Sequence, residues 1–180
     1  MMNKAGRFCL LLGAVLISAA LLFLRSSRLE DLRAGDAAQA AVAKLQQLAG
    51  TGHPLETGGN TYIGYLTFPE REVSLPVMSD WSYDKLKISP CRHFGAQSSD
   101  NLVIAAHNYE SHFGFLQDMQ EGEAVCFTGP EGVTSEYITE LILILDANEV
   151  DTVKNSGFDL VLYTCSITPE SRIAVFLNRA

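Results

Sequence analysis

The chain has 180 residues, 47% of them hydrophobic, with 13 Lys or Arg against 21 Asp or Glu and a net charge of −8. That length suits one domain beside any targeting segment. From residue 34 onward eight basic residues stand against nineteen acidic ones, a balance of −11, which argues against nucleic acid as a partner because binding it needs a basic face to displace counterions.

Residues 1–28 read as a membrane segment. Lys4 and Arg7 precede an uncharged run of 17 residues from Phe8 to Leu24, and Arg25 and Arg28 follow it. The run is at the short end of what crosses a bilayer and long for the core of a cleaved signal, so an uncleaved anchor is expected. Basic residues on both flanks leave its orientation open. Residues 36–49 look helical: Asp36 is placed to cap, and Ala38, Ala41, Val42, Leu45 and Leu48 share one face, with Gly50 as a stop. A loose linker follows to residue 60, with His53 as a solvated loop histidine.

From Thr61 the character turns to strands. They are expected at 62–68, at 73–77 with Pro76 marking an edge or bulge, and at 101–106, a continuous apolar run ending at His107. Further strands fall at 123–128, 135–145, 159–164 and 172–177, with short helical turns over 82–88 and 113–119. Seven or eight short strands with Gly/Pro turns make the fold all-β with short helices, a closed barrel or a sandwich. The domains are then a membrane anchor (1–28), a helix and linker (29–60) and a β domain (61–180).

The four cysteines are Cys9, Cys91, Cys126 and Cys165. Their spacing builds no disulfide framework; Cys91 with Cys126 is the one pairing left open, and the plainer reading is two thiols packed as small hydrophobes. Cys165 is different. It ends an apolar strand, a short polar turn (166–171) follows, and Arg172 opens the next strand. His107 also ends a strand, 58 residues earlier, and strand ends of a barrel gather at a rim. A thiolate is the nucleophile, a nearby histidine holds it or moves protons, and an arginine stays charged to meet a developing oxyanion. Taken alone, a cysteine on an apolar strand is more often core than nucleophile.

Three segments resemble the sortase family, in the family's order. Val161-Leu-Tyr-Thr-Cys165 is similar to its T-L-x-T-C signature, with Val in place of the first Thr, and Arg172 matches the arginine opening the following strand. Leu102-Val-Ile-Ala-Ala-His-Asn108 resembles the segment around the family's histidine, and Tyr62-Ile-Gly-Tyr-Leu-Thr-Phe-Pro69 its first strand. The resemblance implies a sortase-type closed eight-stranded β-barrel behind an N-terminal transmembrane helix. It implies a cysteine transpeptidase on the outer face of a Gram-positive cell, single-pass, with its N-terminus inside. Such an enzyme cleaves a C-terminal sorting signal of Leu-Pro-x-Thr-Gly type in a secreted surface protein through a thioacyl intermediate. The acyl group passes to an amine of a cell-wall precursor or pilin subunit. Carried over by position, Cys165 is the nucleophile, His107 the general acid/base and Arg172 the oxyanion-stabilising residue, while Asn108 and Thr164 line the substrate site. No cofactor or metal is required.

The Asn108 and Ser-His-Phe-Gly features look closest to class B-like members. The short loop between Leu145 and Asp159 lacks a long helical insertion, and the absence of a second apolar span disfavours the pilin-polymerising type. Asp80-Trp81, which resembles that type's lid motif, reads as packing. Two rivals use the same fold: a cysteine hydrolase that passes the acyl group to water, and a non-catalytic sortase-like binding module. A metal site from Cys91-x-His93 with Cys126 or His112 has poor ligand spacing for zinc.

Overall fold

The computed structural model describes residues 4–165 and 170–180. The chain divides into two compact units, Met1–Arg33 and Ala34–Ala180. Helix α1 (Lys4–Leu48) contributes residues to both. Asp36 therefore caps nothing: no proline lies between Leu24 and Leu48, so the helix passes straight through the expected break. By length and composition this helix is long and apolar enough to cross a membrane. In the second unit its expected face holds, with Ala34, Ala38, Ala41, Val42 and Leu45 buried.

Among the described residues the second unit holds nine strands: β1 (Leu55–Thr57), β2 (Asn60–Phe68), β3 (Val73–Met78), β4 (Cys91–Phe94), β5 (Leu102–Ala106), β6 (Ala124–Thr128), β7 (Thr134–Asp146), β8 (Leu160–Cys165) and β9 (Ser171–Arg179). Two short helices accompany them, α2 (Tyr83–Leu86) and α3 (Val150–Lys154). Hydrogen-bonded neighbours run β2-β3-β4-β5-β8-β9-β7-β6, and β6 pairs back onto β2, closing an eight-stranded barrel with β1 attached outside the ring on β2. Closure removes the sheet edges that would otherwise invite association. It depends on Gly64: a Cβ there would sit 2.2 Å from the Thr128 carbonyl oxygen, so only glycine lets β2 approach β6 at this point.

Three elements escape a reading by periodicity. The signal for β1 is the Gly58-Gly59 pair, both with positive φ, which turns β1 into β2 as a two-residue hairpin. β4 (Cys-Arg-His-Phe) has no apolar alternation, and α3 is little more than one turn. Pro76 sits where expected for its chemistry. β3 meets β4 at Met78↔Cys91 alone among the described pairings, so the missing N–H falls where the ladder between these two strands is sparse.

Side-chain parity separates two faces of the barrel wall. Leu102, Ile104, Leu160, Leu162, Val175 and Leu177 fill the interior with Phe68, Phe113 and Tyr137. The alternate residues Val103, Val161, Ala174 and Phe176 face outward into a second cluster with Leu145 and Val153. A third cluster joins Ala41 and Leu45 of α1 to Tyr62, Met78 and Cys91. Strands covered on both faces read as unbroken apolar runs, which is why β5 and β8 show no alternation in sequence.

Candidate active site

The site forms where β5 and β8 end side by side. They pair in parallel, with Ala106 opposite Thr164, so the next residue on each chain, His107 and Cys165, leaves the sheet at the same level. Thr164 is 2% exposed and its hydroxyl donates to the Ala106 carbonyl at 2.9 Å. That bond ties together the residues immediately before the histidine and the cysteine. On the other side β8 pairs with β9, and Cys165 stands directly opposite Arg172. Cys165 has the parity of Val161 and Tyr163, so its thiol faces the outer side of the wall rather than the interior.

Two cavities meet at this thiol. One, of about 270 Å³, is lined by Trp81, His93, Leu145, Tyr163, Cys165 and Arg172 among others, and is mostly apolar. The other, of about 330 Å³, is bounded by Asn108, Glu110, Phe115, Asp118 and Cys165. Among the described residues they share only Thr164 and Cys165.

His107 takes a different contact. Its ring lies parallel to Tyr109, with centroids 4.2 Å apart at 7°. Its Nδ1 accepts the Asn108 backbone N–H at 3.1 Å and lies 3.3 Å from Asn108 Oδ1. The loop from residue 107 to 114 is drawn tight by Phe113 N–H on the His107 carbonyl and Gly114 N–H on the Tyr109 carbonyl. The structure thus brings Cys165, Thr164 and Arg172 into one cavity wall and Asn108 into the other, with His107 level with the thiol and its ring on Tyr109. Of the turn expected to return Arg172 to the thiol, residues 166–169 lie outside the described residues.

The sequence reading missed Tyr163 and His93 as cavity residues and took Trp81 as packing alone. Tyr163 was legible in principle, since it lies two residues before Cys165 and must share its face. His93 was not: the β4–β5 register shifts between Arg92 and Phe94, and that bulge turns His93 out of the ladder. Asp80 makes an ion pair with Lys85 while Trp81 stacks on His93 at 5.0 Å.

The remaining thiols are of another kind. Cys91 is fully buried, donates to the Ser89 carbonyl at 3.3 Å, and is pushed up to about 12 chiefly by burial. Cys126 is half-buried and also raised, by burial first and then by Glu136 and Glu70. Both are free thiols. Among the described residues no three His, Cys, Asp or Glu side chains stand together as a metal site.

A closed eight-stranded barrel carrying an outward thiol beside an arginine and level with a histidine defines a strand-end thiol site on a β-barrel. A sequence model described as Sortase domain matches residues 66–180, and the chain belongs to the sortase family of cysteine transpeptidases. No curated protein sequence matches it. Among solved structures it is similar to sortase C1 from Streptococcus suis, at 18% identity over 77% of this chain and 79% of that one, TM-score 0.57. It is also similar to sortase C from Clostridium perfringens SM101, at 20% identity, 72% and 73% coverage and TM-score 0.56. A lid mutant of sortase A from Corynebacterium diphtheriae aligns at 15% identity, 79% and 92% coverage and TM-score 0.58. At these identities the likeness is one of fold. The three carry class C and class A names, where the sequence motifs looked closest to class B-like members.

Proposed function

We propose that this chain is a membrane-anchored cysteine transpeptidase. In this reading α1 holds it in the membrane with the N-terminus inside and the barrel outside. Its acyl donor is a sorting signal of Leu-Pro-x-Thr-Gly type in a secreted protein, and its acceptor is an amine of a cell-wall precursor or pilin subunit. The observation that carries the reading is the pairing of β5, β8 and β9, which sets Cys165 opposite Arg172 and level with His107.

The chemistry follows from those three groups. The Cys165 thiolate attacks the scissile carbonyl and the oxyanion forms beside the Arg172 guanidinium, which stays charged at every step. The C–N bond breaks, the leaving amine takes a proton from the His107 imidazolium, and a thioester remains on Cys165. An acceptor amine then adds to the thioester, gives its proton to His107, and releases the thiolate with a new amide bond. Two cavities that meet at the thiol suit a reaction with two substrates, the apolar one for the donor and the polar one as the approach of the acceptor.

The test uses the full chain in detergent with peptides of Leu-Pro-x-Thr-Gly type, x varied, with and without triglycine as amine. The expected products are a thioacyl adduct on Cys165 by mass spectrometry and an amide to triglycine. Cys165→Ala abolishes both. Hydrolysis alone, with the amine never appearing in product, means the acyl group goes to water and transpeptidation is the wrong reaction.

A further inference from the structure

The apolar cavity has an aromatic wall built from three separate segments. Trp81 comes from the connection after β3, His93 from the β4 bulge, and Tyr163 from β8. The Tyr163 hydroxyl is hydrogen-bonded to His93 Nδ1 at 2.5 Å. The imidazole lies nearly flat on Trp81, at 5.0 Å and 23°, and against Phe94 at 3.9 Å. Trp81 in turn packs on Tyr83 at 4.9 Å. Resting on the reading of the cavity as the acyl-donor groove, we propose that Tyr163 and His93 are positioning residues. Their hydrogen bond holds the imidazole against Trp81 and so fixes the aromatic wall on which a sorting-signal peptide lies.

Three observations carry this. First, a ring that has left the ladder at a bulge has no backbone register to orient it; a side-chain bond and stacking supply the orientation instead. Second, Tyr163 shares the outward face of β8 with Cys165, so whatever fixes Tyr163 fixes the wall at a set distance from the thiol. Third, a neutral imidazole with a free Nδ1 lone pair accepts the Tyr163 hydroxyl proton, and the surroundings favour that neutral form. Burial, and after it Lys154, lowers His93 from its ordinary 6.5, and burial raises the Tyr163 phenol well above its ordinary range.

The surroundings of His93 are consistent with a neutral ring. Lys154 on α3 lies 5.0 Å from the centroid of the Phe94 ring that packs on His93. Arg172 on β9 lines the same cavity. Lys154 disfavours a further positive charge on His93. Asp146 and Glu149 lie on the exposed rim, while Tyr83, Cys165 and Tyr163 complete the titratable lining. A proton on Nδ1 reverses the bond, with Nδ1–H then donating to the Tyr163 oxygen, and places a charge among packed aromatic rings.

Trp81 is the single tryptophan, so emission from the full chain in detergent reads this wall directly. An imidazolium against an indole face quenches its emission. The wild type is expected to show a quenching step with a midpoint below 6.5 as pH falls. His93→Asn removes the step. Tyr163→Phe keeps the ring and its packing but removes the hydroxyl partner of Nδ1, so its midpoint moves. With the Leu-Pro-x-Thr-Gly peptides, both variants raise KM severalfold and lower kcat less. A wild-type step persisting in His93→Asn, or an unmoved midpoint in Tyr163→Phe, overturns the pairing. A fall in kcat at constant KM overturns the positioning role. If the fluorescence step behaves as expected but no peptide is turned over, the pairing stands and the transpeptidase reading fails.

Discussion

Thr164→Val tests whether one hydroxyl aligns the site. The substitution keeps the shape of the side chain and removes only the bond to the Ala106 carbonyl, 2.9 Å long and buried. A buried hydrogen bond contributes about 1 kcal/mol net, and depriving a buried carbonyl of its donor brings the cost to about 2 kcal/mol. For a unit of this size that lowers Tm by about 4–8 °C. The effect on turnover is expected to exceed the effect on stability. The bond joins the residues preceding His107 and Cys165, and a displacement on the order of 1 Å between reacting groups costs up to about a hundredfold in rate. Thermal unfolding of the full chain in detergent measures the first, and kcat with sorting-signal peptides, well below Tm, measures the second. Thr164→Ser is the control, since it keeps the hydroxyl and gives up about 0.8 kcal/mol for one methyl. A Thr164→Val protein with wild-type Tm and kcat refutes the idea that this bond aligns the two strand ends.

Other outcomes follow from the same geometry. Gly114→Ala puts a Cβ 2.7 Å from the Tyr109 carbonyl oxygen and 3.0 Å from that of Asn108. The 107–114 loop must shift, so kcat falls more than Tm, and a variant with wild-type kcat would show the loop to be slack. Cys91, fully buried with its thiol pushed up to about 12, is expected to resist iodoacetamide until the chain unfolds, whereas Cys165 is alkylated first. Peptide mass mapping over time reads the order. His93 is held below 6.5 in the folded chain, so the unfolded chain takes the proton first. Its contribution to stability is complete above 6.5 and is lost as pH falls through the folded value. Tm against pH should show this loss, and His93→Asn should flatten that part of the profile.

Much of the barrel and the core of the site could be read along the chain, because both rest on local pattern. Apolar runs bounded by Gly and Pro locate β2, β3 and β5 to β9. A cysteine and a histidine at strand ends stay at strand ends however the strands are ordered. The apolar face of α1 between Ala38 and Leu45 likewise follows from helical spacing alone, and it is buried as that spacing requires.

Other features needed the tertiary structure. Which strands neighbour one another is a matter of long-range pairing, so the level alignment of Ala106 with Thr164 and the facing of Cys165 by Arg172 exist only once β5, β8 and β9 lie together. The outward direction of the thiol depends on which side of the wall became interior. No single strand decides that when both its faces are apolar. The stacking of His107 on Tyr109 depends on the folded path of the loop that Gly114 tightens. His93 reaches Tyr163 because β4 slips by one residue against β5, a bulge set by the partner strand and not by any local preference of Cys-Arg-His-Phe. Residue chemistry and spacing by themselves determined which groups stand at the ends of strands. Pairing and parity, which are properties of the closed barrel, decided which of them meet.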